Sequence, residues 1–92
     1  MARQLKEWGG FTAGQNVTVL IETMGADHLD VEHTMPPGSA GVIDSIDRYD
    51  NDQGVVFTVV IPVDGESAIV NAFDELDGPI EQMLAARTGE SD

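Results

Sequence analysis

Val55-Val-Phe-Thr-Val-Val-Ile-Pro-Val63 carries the strongest structural signal in the chain. β-Branched and aromatic residues fill it, which suits a pleated strand and disfavours a helix. Apolar residues stand at odd and even positions alike, so both faces of this strand are expected to be covered. Pro62 has no N–H to give to a ladder, so the strand is expected to leave its sheet or lie at an edge there.

Turn chemistry brackets this segment on both sides. Asp50-Asn-Asp-Gln-Gly54 reads as a polar hairpin turn, and Val42–Tyr49 before it as a strand. Asp64-Gly65-Glu66 reads as a second tight turn, and Ser67–Phe73 after it as a further strand. Upstream, Val17, Val19 and Ile21 alternate with Thr18, Leu20 and Glu22, which predicts a half-buried strand over Asn16–Thr23. Met24–Thr34 is the least regular stretch, with Leu29 and Val31 as a short edge strand. Met35-Pro-Pro-Gly-Ser-Ala-Gly41 is a turn, because its prolines fix φ and its glycines supply left-handed freedom.

The ends read differently. Met1–Trp8 is expected as a helical turn or a loose segment, stopped at Gly9-Gly10. Pro79 suits the first position of a helix, and Ile80, Met83 and Leu84 make one apolar stripe at helical spacing. Arg87 and Gly89 suit its end. The 92 residues are thus expected as one domain, with an N-terminal extension over 1–10, a β-barrel over 11–76, a short helix over 77–89 and a frayed tail over 90–92. The fold class is mainly β, a small barrel of about five short antiparallel strands with a short C-terminal helix.

Charge limits the partners. Seventeen acidic residues face four basic ones, for a net charge of −13. Such a chain repels nucleic-acid backbones and anionic membranes, so neither is expected as a partner. No apolar run is long enough to span a bilayer, none of signal-peptide length follows Arg3 and Lys6, and there is no cysteine, which together imply a cytoplasmic chain.

Three motifs carry a resemblance. Phe11-Thr-Ala-Gly-Gln-Asn-Val17-Thr-Val19, Met35-Pro-Pro-Gly-Ser-Ala-Gly41-Val-Ile43 and Val55-Val-Phe57 together resemble Src-homology-3-type small barrels of bacterial, plasmid- or cassette-borne families. The closing segment Ile69-Val-Asn-Ala-Phe-Asp-Glu75-Leu76 is similar to the end of such barrels, and the resemblance spans residues 11–76. It implies the barrel fold and carries over no catalytic residue. Nucleic-acid-binding proteins of this shape have Lys and Arg on their loops, where this chain has Asp27, Asp30, Glu32, Asp50 and Asp52.

The candidate chemistry is sparse. Asp27-His-Leu-Asp-Val-Glu-His33 is the densest polar cluster, and His28, Asp30, Glu32 and His33 are its weak candidates for metal ligands. Their spacing matches no standard metal motif, and the reading is a mobile acidic loop that contains both histidines by chance, so no metal and no cofactor is assigned. Asp50–Gly54 resembles part of a calcium loop, but an EF-hand needs a Glu where Val60 stands. Asp74, Glu75 and Asp77 crowd together after the last strand and are read as solvated. Ser39, Ser45 and Ser67 lack a nucleophile elbow, and no phosphate-binding glycine pattern exists.

The reading is a non-enzymatic acidic module that binds a protein partner, one that is basic, or associates with itself. Trp8, Tyr49 and Phe57 are the aromatic candidates for a binding groove. Leu5, Trp8, Ile80, Met83 and Leu84 are the candidates for an interface between copies, since a small barrel fills its interior from its own strands. Two alternatives stand beside this one: a small-ligand binder or enzyme with its site at a subunit junction, and a nucleic-acid mimic.

Overall fold

The computed structural model describes residues 2–49, 54–63, 65–74 and 78–87. In chain order the strands are β1 (Ala2–Leu5), β2 (Glu7–Trp8), β3 (Phe11–Thr12), β4 (Asn16–Val19), β5 (Thr23–Ala26), β6 (Glu32–Met35), β7 (Ala40–Tyr49), β8 (Val55–Val63), β9 (Glu66–Asp74) and β10 (Leu84–Ala86). Eight of them form one antiparallel sheet, ordered β10-β4-β7-β8-β9-β5-β6, with β1 also on β7; β2 and β3 pair separately. The expectation of about five strands was therefore too low, because short segments at both ends, Ala2–Leu5 and Leu84–Ala86, also pair.

The meander β7-β8-β9 lies where the apolar run places it. Strand β8 pairs along its whole length with β9, from Val55↔Asp74 to Val63↔Glu66. Its pairing with β7 ends at Val60↔Val42, so Pro62 lies beyond that ladder, where a missing N–H breaks no bond. Strand β7 is long enough to hold two partners on its other edge: β4 against 40–42 and β1 against Ile46–Tyr49. Its register shifts between Ile43 and Ser45, and this bulge falls where one edge partner gives way to the other.

Alternation along the meander sorts the side chains. Ile43, Ile46, Phe57, Val59, Ile61, Ala68, Val70 and Ala72 face the core with Val17, Val19 and Met35. Phe57 meets Phe11 edge to face, with centroids 5.8 Å apart and an interplanar angle of 81°. The sheet curls around this core without closing into a barrel, since β10 at one end of the order does not pair with β6 at the other.

Two close approaches depend on glycine. A Cβ on Gly25 would lie 2.5 Å from the carbonyl oxygen of Ile69, where β5 crosses β9. A Cβ on Gly41 would lie 2.9 Å from the carbonyl oxygen of Val60.

The C-terminal helix expected over 77–89 is replaced by a single 3-10 turn, Ile80–Gln82, followed by β10. Its stripe of Ile80, Met83 and Leu84 is buried, but strand pairing positions the last of these: Leu84 lies opposite Val19 and Ala86 opposite Val17. So short an amphipathic segment has little helical stability of its own, and the available edge of β4 decides its conformation. At the other end, residues 2–5, read as part of an extension, form β1 on the edge of β7. The strand expected over Asn16–Thr23 divides at Leu20, whose N–H donates to Met83 O, and the chain crosses to β5 on the far side of β9. Met24–Thr34 is a regular hairpin of β5 and β6, with Leu29 and Val31 in its loop instead of in an edge strand. The turn residues Asp50–Gln53 and Asp64, the acidic pair Glu75 and Asp77, and the tail 90–92 lie outside the described residues.

Candidate binding surfaces

The β5–β6 hairpin gathers the polar cluster singled out in the sequence, and it keeps the four candidate ligands apart. Successive strand residues point to opposite faces, so Glu32 is exposed outward while His33 turns inward. His33 Nε2 lies 2.8 Å from Asp27 Oδ2. Asp27 Oδ1 accepts the N–H groups of Leu29 at 2.8 Å and Val31 at 3.1 Å, which closes the loop as an Asx turn does. The His33 contact leads in holding the Asp27 carboxyl below the usual carboxylate range, and the two loop N–H groups add to it against the opposing effect of burial. Asp30 sits in the loop at φ 63, a conformation that Asp tolerates better than most residues. His28 turns away to Glu66 on β9, with 2.8 Å between Nδ1 and Oε1. Among the described residues no three His, Asp or Glu side chains converge on a common point.

The three aromatic candidates do not form one groove. Phe57 is fully buried in the core. Tyr49 is half-buried at the end of β7, and its N–H donates to Gly54 O. Trp8 packs against the edge of the core, donates through Nε1 to Asp74 Oδ2 at 2.9 Å, and carries Arg48 above its ring, with Cζ 5.6 Å from the centroid. Leu5 also packs partly on the core, and Ile80, Met83 and Leu84 lie within it. These five side chains therefore serve the chain's own interior.

A different apolar surface is exposed. Cross-strand pairing aligns Glu32, Ala26, Ile69, Val60, Val42 and Asn16 in one row across the outer face of the sheet. Ile69 is 48% exposed and Val42 38%. The adjacent outward pair Thr58 and Asn71 is uncharged, with Thr58 Oγ1 donating to Asn71 Oδ1 at 3.3 Å. The sequence signal for this face was present in β8, whose outward residues Val56, Val60 and Pro62 are apolar and interrupted only by Thr58. The expectation that both faces of β8 are covered holds for the inner face and in part for the outer one, where Val56 is buried, Thr58 and Val60 are half-buried and Pro62 is exposed.

A cleft of about 370 Å³ opens where the curled sheet stops short of closure. Val19 and Leu84 line one side, and Val70 and Ala72 on β9 line the other. Thr23 and Met24 of β5 border it, with Ile21 and Met83. Thr23 Oγ1 is buried and has no hydrogen-bond partner among the described residues.

Among the described residues no helix is long and apolar enough to cross a membrane. No family model matches the chain, and no curated protein or solved structure is significantly similar to it.

Proposed function

We propose that this chain is a non-enzymatic interaction module that presents the outer face of its sheet to a basic protein partner. The row Ile69-Val60-Val42 carries the reading, because its exposed ends Ile69 and Val42 flank a half-buried Val60 and make an apolar strip on a chain of net charge −13. Glu32 stands at one end of the row, and the exposed Asp44 stands on β7 beside the other. Apolar contact at the centre and carboxylates at the rim suit a partner with an apolar core and a basic margin. A second copy would set acidic rim against acidic rim.

The curled sheet itself is read as a small barrel of the Src-homology-3-like type. The Met35–Gly41 turn leading into β7, and the tightly connected meander after it, support that assignment.

The test is an NMR titration with a peptide of alternating Val and Lys. Amides at Val42, Thr58, Val60 and Ile69 are expected to shift, with binding weakened by added salt. Ile69→Glu separates apolar contact from bulk attraction: it adds an acid, yet binding is expected to fall about tenfold as the strip is interrupted. Tighter binding in that variant, or a dimer by light scattering at high salt, would overturn the reading.

A further inference from the structure

We infer that the partner seats an amphipathic α-helix with a basic margin on the outer strip, an inference that rests on the proposed surface and adds the form of its occupant. The uncharged ground there is wider than one row. Thr58, Val60 and Pro62 on β8 stand against Asn71, Ile69 and Ser67 on β9, and none of the six side chains is ionisable. Val42 extends the patch onto β7. The charges at its margin, Glu32 and the exposed Asp44, are both acidic.

Hydrogen-bonding capacity decides the form. The side chains of Val42, Val60, Pro62 and Ile69 present only carbon, and Thr58 Oγ1 already donates to Asn71 Oδ1 at 3.3 Å. An extended segment laid on this face would hold its own N–H and C=O groups against apolar surface, at a cost for each group left unpaired. An α-helix pairs those groups internally and offers a continuous apolar stripe. An added strand would need an edge instead, and the end strands are short: β10 has three residues, and β6 has four and runs into Pro36-Pro37. The dimensions agree. Thr58 to Pro62 spans about 14 Å at about 3.4 Å per residue, which a helix covers in about nine residues at 1.5 Å each. From β7 to β9 is about 10 Å, the diameter of one helix with its side chains. A second copy cannot supply this element from its described residues, which contain no α-helix, and it would bring a like charge. The occupant is therefore a partner's helix with apolar residues at i, i+3, i+4 and i+7, and with Lys or Arg flanking that stripe towards Glu32 and Asp44.

Two peptides of about 18 residues, with one shared composition of Leu, Ala and Lys, test this. The first repeats Leu at i, i+3, i+4 and i+7; the second places Leu at alternate positions, so that its stripe forms only in an extended chain. Equal charge cancels general attraction to an acidic protein. The first is expected to bind about tenfold more tightly, to gain helical circular dichroism on binding, and to shift the amides of Thr58, Val60, Ile69 and Asn71. Ile69→Glu and Val42→Glu are each expected to weaken it about tenfold, although both add an acid. Equal or tighter binding of the alternating peptide at the same amides would overturn the helix and leave the proposed surface standing. Unmoved amides with both peptides would overturn the two together. Binding of the first peptide that survives both substitutions would place it elsewhere and overturn the inference.

Discussion

Trp8 and Asp74 are 66 positions apart and share a hydrogen bond of 2.9 Å from the indole N–H to Oδ2. The other oxygen of the same carboxylate accepts the N–H of Ile80, also at 2.9 Å. One side chain thus fastens the N-terminal segment and the start of the 3-10 turn to the end of β9. Asp74→Ala is expected to lower unfolding stability by about 1–2 kcal/mol, discounted for partial exposure. Asp74→Asn, which keeps one acceptor, is expected to lose less. Urea denaturation followed by the fluorescence of the chain's one tryptophan measures both. An Asp74→Ala midpoint equal to that of the exposed control Glu81→Ala would show that the link adds no stability.

The Asp27 carboxyl is the acid sensor of the β5–β6 hairpin. Contact with His33 leads in lowering its pKa below the ordinary 3.8, so the folded form holds its proton less tightly than the unfolded chain. The stabilisation is therefore complete above that ordinary value and fades as pH falls through the lower folded one. In a carbon-detected titration the Asp27 midpoint is expected below 3.8 in the wild type and higher in His33→Ala. An unmoved midpoint would remove His33 as the principal cause.

Gly25→Ala should loosen the hairpin selectively. Its new methyl would meet the backbone of Ile69 at 2.5 Å, and a backbone atom cannot rotate aside. A cost of about 1–3 kcal/mol follows from forced displacement in a packed site. Hydrogen exchange is expected to accelerate at residues 23–35 while β7 and β8 stay protected. Uniform acceleration across the sheet would show that β5 is not an independent unit.

The sequence made the central meander legible and left the sheet's margins obscure, for physical reasons. Residues 55–63 declare a strand through composition alone, and the turns around them set the neighbours. Leu84 and Ala86 declare nothing: three apolar residues at helical spacing fit a helix until an unoccupied edge at β4 is known. Arg3 and Gln4 carry no strand signal either, and β1 forms because β7 extends past β4. The two surfaces follow the same division. The outer strip was implicit in β8, whereas the cleft brings Thr23 to one lining with Val70 and Leu84, residues nearly 50 or more positions away.

The placement of β7 also constrains how the chain acquires its shape during synthesis. β1 and β4 emerge first, yet both pair on the edge of β7, which starts at Ala40, and β4 gains its second neighbour only at Leu84. Until then Val17 and Val19 have no interior to enter. A nascent chain of this protein would depend on shielding, by the exit tunnel or by a chaperone, until Leu84–Ala86 has left the ribosome.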